Sequence, residues 1–336
     1  MILFSIALLS GCSDDTTSPT SAGSYGLRAV GSFRTPGSAR DICLIDDTIY
    51  VADNEFGVTI WHLEANGRAT PLDTIPTFYP TQKVAVARQS GLVFALASTN
   101  NFGGIYGFDR NLDQYAIWIG SKGIEDFLLE DISPDSLLLV HCETDNDGIQ
   151  AHLYYYDHES SFWAEDIRGS YFARSRAFHG IAKSGTYLYA AQGEWGLMIL
   201  QIGSGVRPEI SITEVTSLDL MGNTLDVVVD SAANYAYIAC QYAGLAIVDI
   251  GDPTSPVLKS QYPIEGVDDA FKVALDGKTV YILDRENGLF VIDVTDPLYP
   301  VLTGKYLSPR PSSVTVRASD HSVFLTDEHR GVIMLR

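Results

Sequence analysis

The segment from Tyr237 to Pro263 has a near copy that begins at Tyr281, and this repeat constrains the fold more than any other feature of the chain. The two segments read YIACQYAGLAIVDIGDPTSPVLKSQYP and YILDRENGLFVIDVTDPLYPVLTGKYLSP. In both, an aromatic residue stands seven positions before a Gly, and the apolar run after that Gly leads into an Asp-Pro-x-x-Pro turn. An internal repeat of this length indicates a fold that is assembled from equivalent units.

The glycine of this pattern marks seven copies along the chain. The marker residues are Gly57, Gly104, Gly148, Gly196, Gly244, Gly288 and Gly331. Successive markers lie 43 to 48 residues apart, which accommodates four strands of about five or six residues with short loops between them. No stretch shows a sustained helical period of apolar residues. The sequence therefore predicts an all-β fold, a seven-bladed β-propeller.

The seventh copy has no fourth strand of its own, and a matching strand stands near the N-terminus. Gly31 and Phe33 have the same spacing as Gly304 and Tyr306, which lie in the fourth strand of the sixth copy. We therefore expect the N-terminal strand to complete the last blade. Such pairing closes the ring and removes the exposed strand edge that an open array would have.

The segments GLAIVDIGDPTSP and GLFVIDVTDPLYP resemble the LVIVD repeat, which is found in many bacterial and archaeal surface and secreted proteins and is taken to build β-propellers. The fifth and sixth copies match this repeat closely, and the first and fourth match it loosely. The second and third copies keep little beyond the Gly and the apolar rhythm. The resemblance implies a propeller fold and a location outside the cytoplasm, and it brings no catalytic residues with it.

Residues 1–24 differ in composition from the repeats. The run from Ile2 to Leu9 is apolar but far shorter than the ~20 residues that span a bilayer as a helix, so residues 1–11 are interpreted as a signal peptide. Leu9-Ser10-Gly11-Cys12 resembles the lipobox of bacterial lipoproteins, which implies cleavage before Cys12 and a lipid on Cys12. An ordinary signal peptide followed by a chance Cys is the alternative.

Residues 12–24 are predicted to be a flexible tether and residues 25–336 a single propeller domain. The tether is rich in Ser, Thr, Pro and Gly, a composition that does not bury enough apolar surface to fold. Ser13-Asp14-Asp15 is similar to the acidic surface-export tag of some Gram-negative lipoproteins. These resemblances imply a cell-envelope protein that is lipid-anchored to the outer membrane, and exposure on the cell surface where the tag operates.

The charge of the chain limits its partners. Asp and Glu number 42 against 22 Lys and Arg, so the net charge is -20. Such a protein repels phosphate backbones, which excludes general nucleic-acid binding. We expect an envelope protein or a carbohydrate as the ligand, and contact with the membrane only through the lipid anchor.

Two sets of residues are expected around the mouth of the central channel. The first is charged and stands at or just before the first strand of six blades: Arg40, Asp41, Lys83, Glu125, Asp126, His179, Asp226, Asp269 and Lys272. The second is aromatic and lies in loops of the same face: Tyr79, Phe102, Phe172, Phe178 and Trp195. Converging charges at a channel suit a polar ligand, and exposed aromatics suit a sugar ring or a protein partner. Solvated strand starts and packing between blades are the respective alternatives.

One turn has carboxylates at the spacing of a calcium loop. Glu143, Asp145 and Asp147 alternate before Gly148, as in the first half of an EF-hand loop. Tyr154 stands where that loop has its Glu, so a solvated turn is the alternative, and no other cofactor is predicted. The seven histidines are not expected to cluster.

The sequence contains no local catalytic motif. We therefore predict a lipid-anchored binding or interaction module that uses its channel-mouth face. A propeller hydrolase or lyase that acts on an envelope carbohydrate is the alternative, because a propeller enzyme can assemble its site from one residue per blade.

Overall fold

The computed structural model describes residues 26–99, 103–109, 114–120, 123–144, 148–172, 177–203 and 210–336. These ranges contain 28 β-strands in seven four-stranded antiparallel sheets. They contain no helix, and therefore no helix that is long and apolar enough to cross a membrane.

Each sheet is one blade, and its strands follow one another along the chain. Blade 1 consists of β2 (Asp41–Ile45), β3 (Thr48–Ala52), β4 (Val58–Leu63) and β5 (Ala69–Ile75). Blade 2 consists of β6 (Thr81–Val86), β7 (Val93–Ser98), β8 (Gly103–Asp109) and β9 (Gln114–Gly120). Blade 3 consists of β10 (Ile124–Ser133), β11 (Ser136–Glu143), β12 (Gly148–Asp157) and β13 (Phe162–Phe172).

The remaining blades repeat this order, and the last one takes its fourth strand from the N-terminus. Blade 4 consists of β14 (Gly180–Ser184), β15 (Tyr187–Ala191), β16 (Leu197–Gly203) and β17 (Ser211–Leu218). Blade 5 consists of β18 (Asp226–Asp230), β19 (Tyr235–Ala239), β20 (Leu245–Asp249) and β21 (Val257–Tyr262). Blade 6 consists of β22 (Ala270–Asp276), β23 (Thr279–Asp284), β24 (Gly288–Asp293) and β25 (Val301–Tyr306). Blade 7 consists of β26 (Pro311–Arg317), β27 (Ser322–Asp327), β28 (Gly331–Leu335) and β1 (Ala29–Phe33).

The seven blades form a closed ring. The first strand of each blade lies beside the first strands of both neighbouring blades, including β26 beside β2. The hydrophobic core of the described residues is divided into seven clusters, and each cluster is built from two successive blades. A single blade cannot bury both of its faces alone, so the stacking of neighbours stabilises the ring. The predicted seven-bladed β-propeller is confirmed.

The N-terminal strand closes the last blade as predicted. In β1, Phe33 pairs with Val332 of β28, and Ser32 pairs with Ile333. The Phe33 ring also packs against Trp61 of blade 1, with ring centroids 4.7 Å apart. Blade 7 is therefore held together by both ends of the chain, and β28 is not an exposed edge.

The marker glycines are required where the third strand of a blade passes the end of the fourth. Five of them have positive φ between 76° and 93°: Gly57, Gly196, Gly244, Gly288 and Gly331. Gly adopts this conformation at little cost. A Cβ atom at any of the five would lie 2.2 to 2.4 Å from the carbonyl oxygen of the last residue in the fourth strand. In blade 7 that oxygen belongs to Phe33, so β1 takes the place of the fourth strands elsewhere.

Candidate functional site

Seven residues at equivalent positions of the first strands surround the channel. Each pairs with the same position of the second strand in its blade, as Asp41 does with Ala52 and Lys272 with Leu283. We call this set the channel ring; its members, from blade 1 to blade 7, are Asp41, Lys83, Asp126, Gly180, Asp226, Lys272 and Ser313. The ring thus contains five of the nine charged residues that the sequence analysis selected.

The three carboxylates of the channel ring bind the backbone of the next blade. The Val84 N–H donates to Asp41 Oδ2 at 3.1 Å, and the Ile181 N–H donates to Asp126 Oδ2 at 3.0 Å. Asp226 Oδ2 accepts a hydrogen bond from a backbone N–H of blade 6 at 3.0 Å. Each donor directly follows a ring position, so the carboxylates join blade 1 to 2, blade 3 to 4 and blade 5 to 6.

The second oxygens of these carboxylates contact other members of the ring. Lys83 Nζ donates to Asp126 Oδ1, and Ser313 Oγ donates to Asp41 Oδ1 at 2.6 Å. Lys272 Nζ lies 3.8 Å from Asp226 Oδ1. The ring is therefore largely paired within itself, as buried charges require.

Gly180 is the one ring member without a side chain, and its neighbour explains why. A Cβ atom at Gly180 would lie 2.9 Å from Asp226 Oδ1 and 2.8 Å from the Asp226 Cα. The absence of a side chain in blade 4 thus makes room for the carboxylate of blade 5.

The two most buried carboxylates of the ring differ in proton affinity. Burial raises the pKa of both carboxyl groups. At Asp126 the charges of Lys83 and Lys272 outweigh burial and hold the pKa of that carboxyl below its usual range. At Asp226 burial prevails over Lys272, and the pKa of the carboxyl is raised. Burial alone would lower the pKa of Lys272, yet Asp226 and Asp126 together raise it. Lys272 therefore stays charged, and Asp226 takes up a proton more readily than Asp126.

The other four selected residues lie just outside the ring, at its rim. Arg40 Nη1 pairs with Glu328 Oε1 at 2.5 Å, and Asp269 Oδ2 pairs with Arg285 Nε at 3.0 Å. His179 is half-buried, and burial lowers its pKa, whereas Glu125 is exposed. Two of the four are thus bound to turns of the channel-mouth face, and they stabilise that face rather than line the ring.

The channel-mouth face consists of the loops that join second to third strands and of those that join one blade to the next. Among the described residues of these loops and their edges, seven large apolar side chains are exposed, and we call them the mouth apolar residues: Phe56, Phe78, Phe172, Trp195, Met221, Tyr242 and Leu307. Their exposed fractions range from 48% to 77%. Side chains of this kind are usually buried, so the fold alone does not account for the set.

The aromatic prediction for this face is correct in part. Phe172 and Trp195 are exposed, but Phe178 is fully buried in the core between blades 3 and 4, where packing between blades accounts for it. Tyr79 is half-buried, and its neighbour Phe78 is the exposed residue, at 77%. Phe102 lies outside the described residues.

A cleft of about 570 Å³ lies on this face between blades 4 and 5. Met221 and Tyr242 line it together with the carboxylates of Glu194 and Asp219. Gln261 fixes one wall, because its side chain accepts from the Met221 N–H at 3.1 Å and donates to the Met221 carbonyl at 2.6 Å. The cleft is therefore preformed, and it combines apolar surface with acidic groups.

A hydrogen-bonded carboxylate fixes the neighbouring loops of blade 6. Asp284 Oδ1 accepts from the N–H groups of Glu286 and Asn287, and Asp284 Oδ2 accepts from those of Asp268 and Asp269, at 2.8 to 3.0 Å. Burial opposes ionisation, but these four hydrogen bonds lower the pKa of Asp284. One side chain thus holds two loops of the channel-mouth face in place.

Comparison with known families now identifies part of the chain. Residues 36–60, 221–263 and 268–308 match the LVIVD repeat. Blades 5 and 6 are LVIVD repeats. The match over residues 36–60 covers the first strands of blade 1. Together the three matches span about a third of the sequence. No curated protein matches the chain.

The LVIVD matches confirm the resemblance that the sequence analysis drew from the fifth and sixth copies. Blades 2, 3, 4 and 7 lie outside the matches, although the marker residues place them in the same ring. In the LVIVD repeat of blade 5, Asp226 is the channel ring member, and in that of blade 6 it is Lys272. The repeats thus contribute one carboxylate and one amine to the ring.

The candidate calcium ligands lie in blade 3, outside the LVIVD matches. Glu143 is the last residue of β11, and it is fully buried rather than part of a solvated turn. Its Oε1 accepts a hydrogen bond from Gln150 Nε2 at 3.1 Å. Asp145 and Asp147 lie outside the described residues. In the described ranges, no three His, Cys, Asp or Glu side chains are placed to hold a metal ion.

Blade 3 contains an array of two buried histidines and two carboxylates, Glu143 buried and Glu165 exposed, that the sequence analysis missed. His141 Nε2 lies 3.2 Å from His152 Nε2, and the two rings stack with centroids 5.3 Å apart. His152 Nδ1 lies 2.6 Å from Glu165 Oε1, and His141 Nδ1 lies 3.6 Å from Glu143 Oε1. The expectation that the histidines do not cluster is wrong, because β11 and β12 bring these two side chains to the same side of the blade.

The buried histidine makes stability depend on pH. Burial, together with His152, lowers the pKa of His141 to about 3, whereas an unfolded chain has a His pKa of about 6.5. The folded protein therefore binds fewer protons than the unfolded chain between these values, and stability present above about pH 6.5 is lost as the pH falls. We expect the free energy of unfolding to decrease by up to about 1.4 kcal/mol per pH unit in this window.

Urea unfolding between about pH 7 and pH 4 measures this slope. His141→Gln should make the slope shallower. His158→Gln is the matched control, because the His158 side chain is 70% exposed and its partner Asp135 is also at the surface. Equal slopes in the wild type and in His141→Gln would contradict the assignment.

Proposed function

We propose that this protein is a binding module of the cell envelope that takes a protein partner on its channel-mouth face. The observation that carries the proposal is the set of mouth apolar residues, seven large side chains exposed on one face of the ring. Exposed apolar side chains gathered on one surface are typical of interaction sites, and aromatic residues and Met are enriched at such interfaces.

The distribution of these residues favours a macromolecule over a small ligand. Phe56 and Phe78 belong to blade 1 and the loop after it, Trp195 and Tyr242 to blades 4 and 5, and Leu307 to the loop before blade 7. A sugar ring would contact only one part of this set, for example the cleft of blades 4 and 5. A protein surface can cover several parts at once, so we favour a protein partner over a carbohydrate.

Electrostatics add a preference for the sign of the partner. The chain has a net charge of -20, and the cleft of blades 4 and 5 is lined by Glu194 and Asp219. Complementary potentials accelerate association and reject partners of the same sign. The channel ring contributes less to this potential, because its charges are paired with each other and with backbone groups. We therefore expect a partner with a basic surface.

The location is proposed from the sequence of the N-terminus. Leu9-Ser10-Gly11-Cys12 supports a lipid on Cys12, and the composition of residues 12–24 supports a tether between that lipid and the propeller. Both segments lie outside the described residues. The module would thus be lipid-anchored to the outer membrane, with its binding face carried on a preformed ring.

Photocrosslinking in intact cells tests the proposal. A photoreactive amino acid replaces Tyr242 or Phe78 on the channel-mouth face, or Trp118 or Leu72 as controls. The control residues are 66% and 57% exposed but lie on the outer strands β9 and β5. We expect an envelope protein to be crosslinked from the two mouth positions and not from the controls. The same products from all four positions, or none from the mouth, would overturn the proposal.

A hydrolase or lyase acting on an envelope carbohydrate is the second candidate. The observation that favours it is the pair Asp126 and Asp226, whose carboxyl pKa values are shifted in opposite directions. Two carboxyl groups whose pKa values are shifted apart can act as acid and base. Asp226→Asn should then abolish release of sugar products from envelope glycans without loss of folding. An absence of product from the wild-type protein would remove this candidate.

A further inference from the structure

We infer that the turn between the third and fourth strands of blade 6 docks on the surface of a lipid bilayer. This turn, Asp296–Pro300, lies on the far face of the propeller, opposite the channel mouth. Leu298 is 52% exposed and Tyr299 is 74% exposed, and Val301 at the start of β25 is 55% exposed. The inference rests on the lipid anchor of the proposed function, and it adds a second membrane contact to that anchor.

The equivalent turn of blade 5 shows that the fold does not require Leu298 and Tyr299. In blade 5, Thr254 N–H donates to Asp252 Oδ1 at 2.9 Å, and in blade 6, Leu298 N–H donates to Asp296 Oδ1 at 3.0 Å. The next N–H in each turn donates to the carbonyl of the same Asp, at 3.0 and 3.1 Å. The backbone is the same, but blade 5 has exposed Thr and Ser where blade 6 has Leu and Tyr.

The position of Gly26 indicates that the turn faces the membrane that holds the proposed lipid anchor. Gly26, the first described residue, lies beside β25, since a Cβ atom there would be 3.7 Å from the Thr303 carbonyl oxygen. Thr303 follows Tyr299 by four residues, which is at most about 13 Å of extended chain. The chain that follows the proposed lipid anchor therefore enters the propeller next to the apolar turn.

The length of chain before Gly26 is compatible with this contact. Thirteen residues lie between Cys12 and Gly26, and a tether of that length and composition would have a root-mean-square span of about 20 Å. An acylated Cys12 would hold the outer edge of blade 6 close to the headgroups. Leu and Tyr side chains are suited to the interface between headgroups and acyl chains.

The charges around the turn select the type of bilayer. Asp293 and Asp296 are exposed beside it and Asp252 in the neighbouring turn, against one exposed amine, Lys278, in the adjoining turn of the same face. Hydrogen bonds from Thr295 lower the pKa of Asp293, so this carboxyl is ionised at neutral pH. Carboxylates repel anionic headgroups. We therefore expect docking on a zwitterionic surface.

The test uses the full-length chain, acylated in a bacterial host and reconstituted into phosphatidylcholine vesicles. Cys43 is replaced by Ala, and a nitroxide is attached at Tyr299→Cys or at Ser255→Cys, the matched position of blade 5. The collision rates of each nitroxide with oxygen and with an aqueous nickel chelate report membrane depth. We expect the ratio of oxygen to nickel rates to be severalfold higher at position 299 than at position 255. Equal ratios would overturn the docking.

Further outcomes separate the alternatives. A chain that does not float with the vesicles would show that the lipid anchor fails, and the docking fails with it. A chain that floats but has an aqueous nitroxide at position 299 would leave the anchor intact and refute only the docking. A nitroxide shielded from both reagents would indicate a protein on the turn, which also refutes it.

A variant of the turn supplies an independent control. Leu298→Thr with Tyr299→Ser gives blade 6 the residues of blade 5, whose turn has the same backbone hydrogen bonds. A nitroxide at Val301→Cys should have a high ratio of oxygen to nickel collision rates when the original turn is present. This ratio should fall severalfold in the variant. Unchanged depth at position 301 would mean that the apolar turn does not hold the propeller on the membrane.

Discussion

A chain that lacks residues 27–36 is expected to lose its cooperative thermal transition and to aggregate. The deletion removes β1, so the backbone groups of β28 that pair with Phe33 and Ser32 lose their strand partners and form an open edge. It also removes the Phe33 ring from Trp61 and the Leu27 side chain from the core between blades 6 and 7. An exposed edge strand is a template for pairing with other chains. Circular dichroism during heating and size-exclusion chromatography measure the outcome.

The matched control removes residues 13–24 and retains β1. This second deletion should leave the melting temperature unchanged, because residues 13–24 are predicted to be a tether outside the propeller domain. A deletion of residues 27–36 that also melts at the wild-type temperature would contradict the closure of blade 7. The comparison separates the closing strand from the sequence that precedes it.

Asp126→Ala is expected to have the largest effect of any single substitution in the channel ring. The variant leaves Lys83 Nζ, whose side chain is 25% exposed, without its carboxylate and the buried Ile181 N–H without its acceptor. Removing one partner of a buried ion pair typically costs about 3–5 kcal/mol. We expect a decrease of that size in the free energy of unfolding, measured with urea at neutral pH.

Two variants control for this prediction. Asp249→Ala breaks the ion pair with Lys259, which has the same kind of geometry at 3.0 Å, but the Asp249 side chain is 33% exposed. Exposed pairs contribute about 0–1 kcal/mol. Asp126→Asn keeps an acceptor for the Ile181 N–H and should fall between the two. Equal losses for Asp126→Ala and Asp249→Ala would show that the channel ring does not stabilise the propeller.

The architecture could be predicted from the sequence because it is repeated. The spacing of the marker glycines fixed the number of blades, and the offsets of Gly31 and Phe33 identified the closing strand. Five ring members were also predictable, since charged residues at the start of a first strand are conspicuous. Gly180 and Ser313 were not, because neither residue carries a charge and only the strand register places them in the ring.

Other features depend on tertiary structure that the sequence does not specify. His141 and His152 are 11 residues apart, and they meet only because β11 and β12 pair in one particular register. Phe178 is buried although it lies in a connecting segment, since it packs into the core between two blades. Which of Phe78 and Tyr79 is exposed depends on the path of a loop. A loop has no sequence periodicity that would indicate the direction of its side chains.

The ring and the face around it have different physical roles. The channel ring satisfies its charges internally, which explains their presence without a ligand. The mouth apolar residues have no such explanation, because the fold leaves them exposed. We therefore propose that the face binds the partner and that the ring stabilises the propeller.

The most direct test of this assignment is the dissociation constant of the crosslinked partner for variants of the face. Phe78→Ser and Tyr242→Ser should each raise Kd at least about tenfold, which corresponds to about 1.4 kcal/mol of binding free energy. Leu72→Ser, an exposed position on the outer strand β5, should leave Kd unchanged. A Kd that neither mouth variant alters would contradict the assignment of binding to the channel-mouth face.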